Sequence, residues 1–144
     1  MTAKTQQRLI SAAIALGLAG VFTLAAILEP SAEGHGTHTQ LGLASCSFLQ
    51  MTGQPCPMCG ATTSWSLMAH FSPIRAIVNQ PFASLLFAIA VGVFAIATAE
   101  SIDPRDRWQK IYRWLEPLEG TLALGFLLLM GLGWVYKMAQ MSSV

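Results

Sequence analysis

Charge is scarce in this chain. Only 10% of its 144 residues are charged, 8 Lys or Arg against 7 Asp or Glu, while 53% are hydrophobic. A water-soluble domain carries roughly 25% charged residues. There is too little polar side chain here to cover a surface facing water, so lipid must cover part of it. The net charge of +1 excludes the strong field that a nucleic-acid partner or an acidic substrate would call for. Cysteine is scarce as well: there are three, an odd number, so at least one stays free, binds metal or pairs elsewhere. A phosphate-binding glycine loop, a serine nucleophile motif, an internal repeat and a low-complexity tract are all missing.

The few charges are also segregated, and the gaps between them set the fold. Residues 9–28 form 20 consecutive positions without a charge, rich in Ala, Leu, Ile and Gly. At about 1.5 Å per residue that length crosses a hydrocarbon core of about 30 Å. Glu29-Pro30 ends it. A second run covers residues 81–99 and is stopped by Glu100; a third covers 120–136 and is stopped by Lys137. The length suffices for one domain. The predicted fold is therefore all-α: a single membrane domain over residues 1–144 with three transmembrane helices. Lys4 and Arg8 before the first run, and Ala25 and Ala26 within it, would suit a signal peptide. The run exceeds the 7–15 apolar residues of such a segment, so an uncleaved helix is expected. None of the three runs contains an acidic or basic side chain, so nothing suggests a proton relay or an ion path.

Two stretches between the runs are expected not to span. Residues 29–61 form a polar, Gly-rich loop with all three cysteines and two of the three histidines. Residues 62–80 read as short interfacial helices. Thr62, Thr63 and Ser64 are N-cap candidates, and Trp65, Met68 and Ala69 form one apolar face. Pro73 breaks the segment, and Ile74, Ile77 and Val78 repeat the spacing. Between 100 and 119, Trp108, Ile111, Tyr112 and Leu115 make an apolar stripe ringed by Arg105, Arg107, Lys110 and Arg113, the pattern of a helix lying in the interface. Ser84, Ala88 and Gly92, and likewise Thr121 and Gly125, recur at spacing four as ridges of small residues on which helices approach closely in lipid.

The chemistry concentrates in Cys56-Pro57-Met58-Cys59-Gly60. Two residues between cysteines let both sulfurs face one point, either each other or a metal. A helix start just beyond favours a thiolate. Gly60 permits the tight turn into that helix. His35-Gly36-Thr37-His38 has a spacing compatible with metal binding. His70, near the end of a short helix, suits the helix dipole. Trp65, Trp108, Trp114 and Trp134 suit interface anchoring.

The string at residues 52–62, Thr52-Gly53-Gln54-Pro55-Cys56-Pro57-Met58-Cys59-Gly60-Ala61-Thr62, resembles the signature of the bacterial domain-of-unknown-function 2752 family. That signature is C-P-x-C-G-x-T-R, then a short amphipathic segment, then an N-P step into a hydrophobic helix. The resemblance covers roughly residues 41–99. Thr63 stands where the family usually has Arg, and Asn79-Gln80-Pro81 has one residue between Asn and Pro. The resemblance implies a small multi-helix membrane protein and implies no reaction.

Three states of the cysteines stay open. In the first, Cys56 and Cys59 bind a metal, zinc the first candidate, with His35, His38 or Cys46 completing the shell. In the second they cycle between dithiol and disulfide. In the third they hold a permanent disulfide or a stiffened turn. The leading functional class is a non-enzymatic structural or accessory protein. Its partners are the lipid bilayer and other membrane subunits, and no catalytic residue is assigned. The rival class is a membrane thiol-redox or zinc-binding protein acting through Cys56 and Cys59. Lys and Arg count six on the side of the N-terminus and the 100–119 loop, and two, Arg75 and Lys137, on the other. The positive-inside rule thus predicts a cytoplasmic N-terminus and an outward cysteine loop, and the resemblance implies a bacterial membrane, expected to be the inner one. Reporter fusions at both ends test this: an outward C-terminus is expected, and a cytoplasmic one defeats the three-span topology.

Overall fold

The computed structural model describes residues 2–142. The described residues form helices and no strand. Helix α1 covers Ala3–Ile27, α2 Ser47–Thr52, α3 Ala61–Ala69, α4 Pro73–Asn79, α5 Pro81–Ile102, α6 Arg107–Leu115 and α7 Glu119–Ser142, with short 3-10 turns at Thr37–Leu41 and Glu116–Leu118. Three helical segments are long and apolar enough to cross a membrane: Ala3–Ile27, Pro81–Ile102 and Arg107–Ser142. The expected all-α, three-span architecture is present.

Local chemistry sets the boundaries. The Thr2 side chain accepts from the Thr5 N–H to start α1. Pro73 and Pro81 each occupy the first turn of their helices, where a missing N–H costs nothing. Pro73 therefore starts a helix rather than merely breaking one. The third span outruns its uncharged sequence. α7 passes Lys137 and continues to Ser142, so a charged residue does lie within a spanning helix, against expectation.

α1 and α5 pack antiparallel along their length. At one end Gln7 Nε2 donates to Glu100 Oε1 at 2.6 Å, and Arg8 Nη2 donates to the Ile102 carbonyl at 2.6 Å. Toward the other end Phe22 lies against Phe87 at 5.3 Å between ring centres, and Phe87 meets Trp65 of α3 edge-on at 5.3 Å. Edge-on aromatic pairs of this kind add about 0.5–1.5 kcal/mol beyond the area they bury. α7 is attached differently. Only 6% of its apolar stretch is buried, against 22% for α5; Phe126 and Gly133 abut Phe82, and side-chain hydrogen bonds from its later turns reach the body.

α3 buries Thr63, Ser64, Ser66 and Leu67, and Trp65 packs against Phe22 and Phe87. Its hydroxyls find partners inside the protein, since unsatisfied hydroxyls are costly away from water. Thr37 and Thr63 hydroxyls pair at 2.8 Å, Ser64 Oγ donates to the Ala76 carbonyl at 3.1 Å, and Ser66 Oγ donates to the Leu28 carbonyl. The N-cap is Gly60, and not Thr62, Thr63 or Ser64.

The small-residue ridges also differ. Ser84 is buried, but Ala88 and Gly92 are exposed, and nothing lies within 4 Å of a Cβ built at Gly92 or Gly125. Three of the four tryptophans bond to the protein through their indole N–H: Trp65 to the Ala83 carbonyl, Trp108 to Ser11 Oγ and Trp134 to the Pro55 carbonyl. Trp114 is 70% exposed, as an interface anchor would be.

The end opposite the cysteines is held by one buried carboxylate. Glu100 receives Gln7 Nε2, the backbone N–H groups of Arg105 and Arg107, and Arg107 Nη1 at 2.7 Å. That satisfies both oxygens and locks the α5–α6 corner onto α1. Removing it strands several donors at once. Glu100→Ala should lower stability by about 2–4 kcal/mol, read as a drop in the thermal unfolding midpoint in detergent. An unchanged midpoint would show a solvated corner.

Candidate functional site

At the other end the cysteine turn is assembled by backbone bonds. Pro57 fixes φ and lacks a donor. Cys59 N–H donates to the Cys56 carbonyl at 2.9 Å, and Ala61 N–H to the Met58 carbonyl at 3.0 Å. Gly60 follows at φ +87°, a left-handed conformation favouring glycine. A Cβ there would sit 2.5 Å from the Gly34 carbonyl oxygen and 3.3 Å from Lys137 Nζ. At Gly34, φ +73°, a Cβ would overlap Asn79 Oδ1. Two glycines thus let the two loops close directly on one another.

Asn79 fastens that contact. Its Nδ2 donates to the Gly60 carbonyl at 3.1 Å and to Ser64 Oγ at 2.9 Å, while Oδ1 accepts from Lys137 Nζ at 2.9 Å. Lys137 is only 1% exposed. Its three N–H groups are shared among four oxygens: Asn79 Oδ1, Gln140 Oε1 at 2.9 Å, and the Gly34 and Asn79 carbonyls at 3.3 Å each. Gln80 Nε2 donates to the Pro57 carbonyl at 3.2 Å and Trp134 Nε1 to the Pro55 carbonyl at 2.7 Å. Every element near the cysteine turn is therefore pinned by side chains from the N-x-P step or from α7.

A cavity of about 540 Å³ opens beside the turn, and Cys46, Cys56, Cys59, His35 and His38 all line it. All five residues singled out from the sequence come to one place. The three cysteines are free thiols, so no disulfide joins Cys56 to Cys59. Among the described residues no group of three or more His, Cys, Asp or Glu stands close enough to hold a metal. Both imidazoles have neighbours of their own: His38 Nε2 lies 3.2 Å from the Ala44 carbonyl and His35 Nε2 lies 3.9 Å from Glu33 Oε2.

The thiols differ in character. Cys46 sits half-buried at the N-cap of α2. The backbone N–H of Leu49 in that helix holds its thiol below the ordinary value, outweighing burial, and the Cys56 thiol adds to the effect. Burial pushes Cys56 up, with the Cys46 thiol adding to the push. Cys59 is buried and also raised, by burial first and then by the charges of Cys56 and Cys46, against the pull of the Lys137 ammonium. Cys46 is the thiol best able to ionise, and Cys56 interacts with it side chain to side chain. The sequence spacing had pointed to Cys59 as the partner of Cys56.

Sequence reasoning missed Asn79, Gln80, Gly34 and Lys137 as parts of this site. A cation following an uncharged run reads as the end of a span, and the Asn before a helix reads as a cap. The usable signal was the lone Lys with no other charge after it, in a helix that runs on through Met138, Ala139 and Met141.

The architecture defines a small membrane-embedded protein of three spanning helices with a buried polar knot beneath a cysteine turn. Residues 46–94 match the model of the family described as Protein of unknown function (DUF2752), the family the cysteine motif resembles. The matched stretch contains all three cysteines, Asn79 and most of α5; His35, His38 and Lys137 lie outside it. No curated protein and no solved structure matches the chain.

Since the thiolate is the nucleophile, alkylation should rank the three cysteines. Iodoacetamide titrated from about pH 6 to about pH 9, with the products read by peptide mass spectrometry, should modify Cys46 first and Cys59 last. The Cys46 rate should rise at a lower pH than that of Cys56. Three superimposed curves would show that the thiols share one environment.

Proposed function

We propose that the protein presents a thiol centre at the outer face of a bacterial inner membrane, and that the centre takes up a soft divalent cation, zinc foremost. One observation carries this: Cys46, Cys56, Cys59, His35 and His38 converge on one cavity although they come from three separate stretches of the loop. The donor types fit. Thiolate sulfur and neutral imidazole are the usual zinc ligands, and Cys56 and Cys59 are held as thiols by burial first, then by Cys46 at Cys56 and by Cys56 and Cys46 at Cys59. A cation supplies the charge that lets them ionise, so binding releases protons. In this reading Cys46, Cys56 and Cys59 supply sulfur and one histidine completes the shell, with the side chains closing inward from their present positions. The outward placement of the loop rests on the distribution of Lys and Arg.

A second reading, an accessory subunit packing against other membrane proteins, is favoured by a separate observation. Ala88 and Gly92 on α5 and Thr121 on α7 are small residues left exposed by the described residues. That surface would accept another helix, and it is compatible with the thiol centre.

Zinc added to the reduced, purified protein should bind at about one ion per chain, with proton release, and Cys46→Ser, Cys56→Ser and Cys59→Ser should each weaken binding at least tenfold. If zinc does not bind but mild oxidation blocks maleimide labelling of Cys46 and Cys56 together, the centre is a dithiol couple. If zinc does not bind and all three thiols stay freely labelled, the accessory reading stands alone.

A further inference from the structure

A second cavity, of about 610 Å³, lies behind the Gly34–Gly60 contact, and it is electrostatically unbalanced. Lys137 and Arg75 both line it. Among the described residues the ion pairs are His35 with Glu33, Arg105 with Asp103 and Arg107 with Glu100. Among the described residues neither Lys137 nor Arg75 meets a carboxylate. The four oxygens around Lys137 Nζ are all neutral carbonyls or amides. They satisfy its hydrogen bonds without cancelling its charge, and a buried ammonium left in that state is costly. The one acid on the rim, Glu33, is 77% exposed in its side chain and faces His35.

The rest of the lining combines the hydroxyls of Thr63 and Ser31 with the apolar side chains of Ile74, Val78, Leu67 and Met141. Outside the spanning helices, Phe71 is 93%, Ile74 77% and Val78 54% exposed. Apolar side chains bared beside a polar loop mark the boundary between headgroups and acyl chains. The cavity thus joins two cations and hydroxyls to an apolar wall at that boundary.

We propose that this cavity binds a phosphate-type oxyanion, of the class carried by an anionic phospholipid headgroup, with Lys137 and Arg75 as its counter-charges. The two 3.3 Å bonds from Lys137 to the Gly34 and Asn79 carbonyls are long, and an oxyanion displaces one of them at little cost. A charge-assisted bond then replaces a neutral one. Arg75, exposed and unpaired, closes over the ligand from α4. Acyl chains follow Ile74 and Val78. The proposal does not depend on metal binding at the cysteines.

The test is thermal unfolding of the full chain in a neutral detergent, with phosphatidylglycerol, phosphatidylcholine or inorganic phosphate added separately. Ligand that binds only the folded state raises the midpoint. Phosphatidylglycerol should raise it by several degrees and phosphatidylcholine should not. Arg75→Gln should keep the ligand-free midpoint and lose most of the shift, whereas Arg113→Gln, on the far side of the bundle, should keep the shift. Lys137→Met should lose it entirely; if that variant does not fold, Arg75→Gln still decides. A shift with inorganic phosphate that also needs Arg75 supports the site with a free ion as its source. Equal shifts from the two lipids, no shift with any addition, or a shift untouched by Arg75→Gln overturn the proposal.

Discussion

A side-chain amide at the foot of α5 holds the cysteine end of this protein together. Asn79 donates to the Gly60 carbonyl behind the cysteine turn and to Ser64 in α3, and it accepts from Lys137 of α7. Three otherwise separate elements meet on its two polar atoms. In a membrane such atoms have no water to turn to, so each must find its partner within the protein. That requirement explains the two glycines packed against the amide, the paired hydroxyls of α3, and the neutral oxygens collected around the ammonium. Net gains per bond are modest, about 1 kcal/mol, but leaving any one group unpaired would cost more than the bond contributes. The geometry at this end is therefore fixed by what must not be left alone.

The two ends of the bundle solve the same problem with opposite charge. At one, a buried carboxylate collects donors from α1, α5 and α6. At the other, a buried ammonium collects acceptors from the 29–61 loop, α4 and α7. The carboxylate has Arg107 as a full counter-charge at 2.7 Å, whereas the ammonium has no carboxylate partner among the described residues. This asymmetry distinguishes a structural corner from a cavity with room for something more, and it places two different chemistries, soft thiols and hard cations, on either side of one glycine contact.

Much of this was legible in the sequence, and the failures share a cause. The three spans follow from uncharged runs because length and hydropathy alone decide whether a helix crosses lipid. The convergence of Cys46, Cys56, Cys59, His35 and His38 followed from spacing and loop flexibility. Lys137 was invisible because hydropathy records which residues are charged but not which way they point. The buried hydroxyls of Thr63, Ser64 and Ser66 were not legible, because an apolar stripe says nothing about which polar groups find partners inside the protein. At Ala88 and Gly92, spacing identifies a face but not what covers it, and the described residues leave both exposed. Asn79 combined both difficulties: a polar residue beside a helix start is ordinary, and its significance depends on three distant segments arriving around it.

The attachment of α7 bears on how such a protein is made. The helix touches the body mainly through Phe126, Gly133, Trp134, Tyr136 and Lys137. A ribosome delivers the cysteine turn, then α5, and only much later Lys137. Until the last span has threaded the bilayer in the correct sense, Asn79 Oδ1 lacks its donor and the Pro55 carbonyl lacks the Trp134 indole. The loop that carries the thiols is thus finished last, by a helix translated after everything it holds in place.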